Sequence, residues 1–382
     1  QDFYNSYSKS YLIPNYGFVK ESLLKSQILR FEDGEFKFGY NYIFYFLIAK
    51  YVSEIINDKK GKEIISDLFK NISEEKSANI LVFITHHTKD VEFIEESLFS
   101  IIVPFDGTQL ITLNRGGEFY NLIKDIATNI TNDLIELNRK PEEEREEALK
   151  AMDENDRFSV KSKRDYEGKE MHEDDSYNEQ VNQFLQAFRS IEVVGQIVKN
   201  RKGSLPKPKL IELVKEMYSL GFRIINFVGE LFNQARVEIV GHMLNELDDS
   251  DSRLVIENRV ATYFQMFSMK MCLSIFNKLV FSVGIKELKD LYKVVSEEID
   301  SPAADLVTFS INSYYNEVSA NDIKLLSQKY ANNPVVFQLL RIKTRSYLYN
   351  NHVDHRKMQK IASYLKFNVS PKMIKNATRA DS

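Results

Sequence analysis

Residues 16–56 read YGFVKESLLKSQILRFEDGEFKFGYNYIFYFLIAKYVSEII. Three periodicities follow one another in this stretch. Residues 16–26 set Phe18, Leu23 and Leu24 on one side at helical spacing, after a break at Pro14-Asn15. Ile28-Leu29-Arg30-Phe31 and Phe36-Lys37-Phe38 then alternate apolar and polar residues around Asp33-Gly34, a dipeptide that tolerates the positive φ of a tight hairpin turn. Residues 42–56 follow as a strongly apolar helix, placed to pack beneath the hairpin. With a short helix expected over residues 3–8, the order is helix, helix, two-stranded wing, helix, which is that of a winged-helix module.

Downstream, apolar spacing near 3.6 predicts helices over 62–72, 75–86, 91–102, 118–137, 178–200, 208–247, 254–283, 285–299, 302–318, 322–331, 334–349 and 356–365. Capping chemistry supports some of these starts. Ser73 precedes the helix at 75, and Ser301 with Pro302 places a capping hydroxyl beside a first-turn proline. The expected fold is mainly α: an N-terminal winged-helix remnant with a two-stranded wing, then a helical bundle or an irregular α-solenoid. No repeat of fixed length chooses between the last two. The domain organisation expected is a winged-helix module over 1–58, a helical subdomain over 59–140, a charged mobile linker over 141–176 and a helical sensor or interaction domain over 177–382.

Composition supports a folded chain. The 382 residues carry 51 Lys plus Arg against 55 Asp plus Glu and are 43% hydrophobic, which excludes a disordered, collagenous or disulfide-stapled class. Cys272 is the only cysteine and lies in an apolar run, so burial is its expected role and a reducing cytoplasm its expected setting. The net charge of -4 is unevenly placed. Residues 139–175 hold nine basic and fourteen acidic side chains, whereas residues 341–382 hold ten basic side chains against only Asp354 and Asp381. No uninterrupted apolar run reaches the ~18 to 20 residues of a membrane span; the run at Tyr42 to Ala49 is stopped by Lys50. Because the chain opens on Gln1 with no leader, it is read as part of a longer protein.

Motifs that would carry catalysis are weak. Lys202-Gly203-Ser204 has phosphate-loop residue types in the wrong order and joins two helices. His86 and His87, near Asp90 and Glu92, lack the spacing by which three or four ligands converge on zinc. His352 and His355 bracket Asp354 and read as a solvated turn. Asp249, Asp251 and Glu257 lack the ligand order and central glycine of a calcium loop. No catalytic, cofactor-binding or metal-binding residue is assigned. One binding set is: Arg341, Lys343, Arg345, Arg356, Lys357 and Lys360, interleaved with Tyr347, Tyr349 and Tyr364, offer charge and stacking for nucleic acid or an acidic partner. The helix at 16–26 contributes only Lys20 and Lys25 to such contact.

Two stretches resemble a known family. Phe36-Lys37-Phe38-Gly39-Tyr40-Asn41-Tyr42-Ile43-Phe44-Tyr45-Phe46-Leu47-Ile48-Ala49-Lys50-Tyr51 is similar to the end of the winged-helix domain of bacterial STAND or NACHT-like NTPases, many of which are antiphage defence proteins. Ile191-Glu192-Val193-Val194-Gly195-Gln196-Ile197-Val198-Lys199-Asn200, continuing through Gly203-Ser204-Leu205 to Gly221-Phe222-Arg223, resembles the helical region that follows that domain. The resemblance implies a C-terminal regulatory part of such a protein, with its ATP/ADP- and Mg-binding core and effector upstream. The winged helix would hold the resting nucleotide state closed. The helices would sense a trigger, a protein or nucleic acid, or mediate homo-oligomerisation, with no membrane involved. Many members carry His where Tyr40 stands, so the resemblance does not extend to an imidazolium contact with nucleotide phosphate. The other reading is a nucleic-acid-binding helical protein that uses the wing and the basic end.

Overall fold

A computed structural model describes residues 2–88, 105, 107–129, 134–135, 175–245 and 250–369. The chain divides into two compact units, residues 1–101 and 102–382. In the first, α1 (Asp2–Tyr7) and α2 (Tyr16–Lys25) precede β1 (Leu29–Glu32) and β2 (Glu35–Phe38), and then come α3 (Asn41–Glu54), α4 (Lys59–Lys70) and α5 (Glu75–His87). The strands pair antiparallel with Phe31 opposite Phe36. Asp33 at φ 54° and Gly34 at φ 84° make the turn, the paired positive φ values that suit an Asp-Gly hairpin. Asn15 caps α2 by accepting from the Phe18 amide. The core of this unit lies in α3, α4 and α5 and the turns after α3 and α4: the helices pack on one another and bury Ala49, Val52, Ile65, Phe69, Leu81 and Ile84, and the turns bury Ile56 and Ile72. Residues 59–87, read from the sequence as the start of a separate subdomain, thus pack on α3.

The second unit is built on three long helices, α7 (Asp175–Arg201), α8 (Lys207–Asn245) and α9 (Ser250–Val283), preceded by α6 (Glu118–Asn129). Each of α7, α8 and α9 packs against the other two, and α6 lies on α8 and α9. Four shorter helices and one more complete the body: α10 (Lys289–Ile299) on α8, α11 (Pro302–Tyr315) on α9, α12 (Ala320–Lys329), α13 (Pro334–Asn350) on α11 and α6, and α14 (His355–Leu365) on α12. The interior is apolar and includes Tyr218, Phe222, Phe276 and Tyr292. Two of its polar clusters are paired: the Tyr292 hydroxyl accepts from the Ile285 amide and donates to the Val283 carbonyl, and Asp305 accepts from Ser296, Lys329 and Tyr330. At 39 residues, α8 is about 58 Å long at 1.5 Å per residue. No residue of 230–238 in α8 or 257–267 in α9 is buried, so the two helices leave the body as a paired hairpin.

Several expectations change on contact with the coordinates. The helix expected to reach residue 137 is α-helical to Asn129, and Leu134–Ile135 instead pair in parallel with Asn368–Val369. Ser301 caps α11 through the Ala304 amide as its sequence predicts, but α5 begins after Glu74 with no side-chain cap, so Ser73 does not serve it. Residues 285–299 divide into a 3-10 turn and α10. In α9, Glu257–Val283 is long and apolar enough to cross a membrane by length and composition, with mean hydropathy 1.3, although charges interrupt it. Half of that stretch is buried in the body, which is how a core helix acquires such a composition. The expected helix at 91–102 lies outside the described residues, as does the linker expected over 141–176 except for Asp175 and Ser176, which are helical and begin α7.

The crossing of α7 and α9 depends on Gly195. A Cβ there would lie 2.3 Å from the Ser282 carbonyl oxygen and 2.5 Å from its carbon, backbone atoms that move only if the helices part. Gly195→Ala is therefore expected to destabilise the second unit by about 2 kcal/mol or more in a urea melt, the range of forced overpacking. Gly203, where an added Cβ meets nothing, is the control, and Gly203→Ala should move stability by less than about 0.5 kcal/mol. Equal effects would refute the close-approach account.

Candidate functional site

In the first unit, the residues that bury nothing are the ones that stand out. From Tyr4 to Ile48 no side chain is buried, and the first that is buried is Ala49. Strand alternation leads one to expect one hairpin face against the core, yet β2 is exposed at every position and β1 at all but Leu29. Phe18 is 60% exposed, Phe31 57% and Tyr42 57%. Among the described residues, twelve of the 23 exposed large apolar side chains lie between Tyr7 and Tyr51. Their rings are organised: Phe31 lies 4.9 Å from Phe36, Phe38 5.7 Å from Phe44, and Tyr40 is stacked 5.6 Å from Tyr42. Lys20 sits 5.3 Å from the Phe36 ring and Arg30 5.2 Å from the Tyr40 ring, so cations frame the aromatic face. The Tyr40 hydroxyl donates to Gln27 Oε1 at 3.1 Å. Exposed apolar surface this dense is of the kind that protein interaction sites and ligand-binding grooves present.

The six basic residues singled out at the C-terminal end do not share one surface role. Lys343 is buried at 9% exposure and donates to Asn277 Oδ1 at 2.5 Å. Burial pushes its ammonium down to about 8, opposed by the nearby Cys272, while burial pushes the Cys272 thiol up to about 12. Lys343 is thus a core residue, which corrects its place in the binding set. Lys357 donates to Glu317 Oε1 at 2.6 Å, and Arg345 Nε donates to the Tyr349 hydroxyl at 3.3 Å. Arg341 bonds Gln338 and lies 5.1 Å from the Phe367 ring. Arg356 and Lys360 are exposed on α14.

Histidines and acids fall into structural roles. His87 sets its ring edge-on to Phe46 at 4.7 Å. Among the described residues, no group of three His, Cys, Asp or Glu side chains is placed to hold a metal, and Asp90, Glu92 and Asp249 lie outside them. Asp354, between His352 and His355, caps α14 by accepting from the Lys357 amide. Lys202 donates to Glu287 at 2.6 Å in the turn between α7 and α8.

A family model described as Novel STAND NTPase 4 matches residues 1–48. That span ends one residue before Ala49, where burial begins. No curated protein and no solved structure matches the chain. The N-terminal residues are therefore related to STAND-type NTPases. The matched span does not reach the second stretch, 191–223, that resembles the family.

Lys343 makes a pH-dependent contribution whose sign is fixed by its environment. Its folded pKa of about 8 lies below the ordinary 10.5, so the fold disfavours its charged form. Below pH 8 that penalty is fully present; between pH 8 and 10.5 the folded chain gives up the proton that the unfolded chain keeps, and stability rises. Lys343→Met should be more stable than the native chain at pH 7, by on the order of 3 kcal/mol. The difference should shrink as melts are repeated from pH 8 to pH 10. Cys272 is present in both chains and cancels. A difference that does not change with pH would contradict the assignment.

Proposed function

We propose that this chain is the non-catalytic regulatory and sensor part of a STAND-like NTPase acting in antiviral defence in the cytoplasm. In this reading α1, α2, the hairpin and α3 form a winged-helix surface that docks on the NTPase domain, and the helices of the second unit recognise a trigger or join protomers on activation. The observation that carries it is the coincidence between residues 1–48, which match an NTPase family, and the stretch that buries no side chain of its own.

The physical logic is one of incomplete burial. At roughly 25 cal/mol per Å² of apolar surface removed from water, covering a face of standard interface size, ~800 Å² on each partner, is strongly favourable. A docked winged helix would hold the NTPase domain closed on its nucleotide, ATP or ADP with Mg in that domain and none here. A trigger that binds the released form better would shift the population toward it. Tyr40, hydrogen-bonded to Gln27 and stacked on Tyr42, belongs to the docking face in this scheme, in place of a histidine that approaches phosphate. The cytoplasmic setting rests on Cys272, a single buried thiol.

Purified alone, the chain should neither hydrolyse nor retain ATP. Mixed with the NTPase domain of its own protein, residues 11–48 should gain protection in hydrogen exchange. A chain carrying Phe31→Ser, Phe36→Ser and Tyr42→Ser together should bind that domain at least about tenfold more weakly, a loss of ~1.4 kcal/mol or more. ATP turnover by the chain alone that responds to substitutions within it, or association indifferent to the triple variant, would overturn the proposal.

A further inference from the structure

The α8–α9 hairpin leaves the body of the second unit at a concave corner, and that corner has a composition the docking reading does not use. A cavity of about 490 Å³ opens there between the first turns of α6, the middle of α8 and α9. On α8, Asn226, Glu230, Asn233 and Arg236 recur at spacings of three and four, so they form one stripe along the helix face. Asn121 and Glu118 approach from α6 and Gln265 from α9. This places the stripe where α8 burial ends at Gly229.

Two properties of these side chains restrict what they could hold. First, hydrogen-bonding capacity is left over. Among the described residues, the side chains of Glu118, Asn233, Arg236 and Gln265 make no hydrogen bond or ion pair, although all four line the cavity. Glu230 accepts from Asn226 through Oε1, which leaves its second oxygen open. A carboxamide carries an NH₂ donor beside a carbonyl acceptor, the same pair that a peptide unit presents in reverse. Second, the charge is unbalanced. Two carboxylates face one guanidinium, so phosphate or nucleic acid is disfavoured and a cationic group is favoured. The stripe from Asn226 to Arg236 covers about 15 Å, which is the span of four or five residues of extended chain at ~3.3 Å each.

We propose that this corner is a peptide-binding groove that takes an extended segment bearing a Lys or Arg side chain. The carboxamides of Asn233 and Gln265 bind main-chain groups, with the Asn121 Oδ1 as a further acceptor while its Nδ2 donates to the Gly116 carbonyl; Arg236 donates to a peptide carbonyl, and Glu118 with Glu230 holds the cationic side chain. This assignment stands independently of how the first unit docks.

The test uses the whole chain and positional-scanning pools of acetylated, amidated, fluorescent hexapeptides, each pool fixing one side chain at one position. Pools with Lys or Arg fixed should bind by anisotropy above the remaining pools. The best individual peptide should lose about tenfold in affinity in Glu230→Gln and again in Asn233→Ala combined with Gln265→Ala, because each change removes a charged or hydrogen-bonded partner. These are surface positions, and unchanged melting curves confirm that the variants are folded; Glu118→Gln serves if Glu230→Gln shifts the melt. Binding that is absent, that prefers Asp or Glu pools, or that survives all the variants would overturn the proposal. So would displacement of the peptide by AMP or by maltohexaose, the anionic and polyol probes.

Discussion

The antiparallel pairing of α8 with α9 is the interaction on which the second unit depends. Each helix alone would be an unsupported rod, since most helical stability in proteins comes from packing an apolar face. Together they bury Leu220, Phe222, Ile224, Ile275, Phe276 and Leu279, and they give α7, α10 and α11 a surface to pack against. Where α7 crosses α9, Gly195 lets the backbones approach, and beside it Lys278 of α9 pairs with Glu192 of α7, which Arg189 also contacts. The Glu192 carboxyl is held below the usual carboxylate range by those two cations, against the opposing effect of its burial. A charged cluster at this depth fixes the register of the crossing because misplacing any member leaves a partly buried charge unpaired.

The first unit has the opposite character. Burial in its three-helix core begins at Ala49; before that residue α2 contacts β1, β2 contacts α3, and Phe46 of α3 sets its ring against Phe83 and His87 of α5. A two-stranded hairpin with both faces open is marginal in water without a third layer. Its aromatic pairs and the cations over them stabilise local geometry, but each is worth only about 0.5 to 1.5 kcal/mol. The arrangement is coherent when the missing layer is another domain.

Much of this architecture was legible because period 3.6 reports helices wherever one face is apolar, and α8, α9, α11 and α13 all satisfied it. The Asp-Gly turn was legible from backbone chemistry alone. What could not be read was which face of the hairpin is covered: alternation says that Phe31 and Arg30 point opposite ways, not that both sides face water. The pairing of Leu134–Ile135 with Asn368–Val369 joins residues more than two hundred positions apart, and no local pattern encodes such a partner. Ser73 does not cap α5 because the helix starts one residue later than that role requires, with Glu74 at the boundary and no side-chain cap. The groove at Asn233 was not legible because asparagines on a solvated face carry no apolar periodicity, and only the packing of α6 on α8 brings Asn121 opposite.

The basic C-terminal stretch shows why local charge is a poor guide to a surface. Counted along the chain, residues 341–382 are strongly positive, yet charge acts where it is solvated and unpaired. In α13 the cations lie on a helix that packs against both α6 and α11, and Lys343 keeps only 9% of its surface in contact with water. Aliphatic stems tolerate that position, but the ammonium does so only with a depressed pKa and a carboxamide partner. Lys357 is drawn to Glu317, whose carboxyl that ammonium holds below its ordinary range. Of the six cations, Arg356 and Lys360 on α14 are the ones left exposed, and one arginine and one lysine a turn apart are few beside the roughly six to ten phosphate contacts of a salt-sensitive nucleic-acid complex. The peptide groove is the converse case: its two carboxylates are exposed and outnumber the one guanidinium beside them, so their charge is available to a cationic ligand.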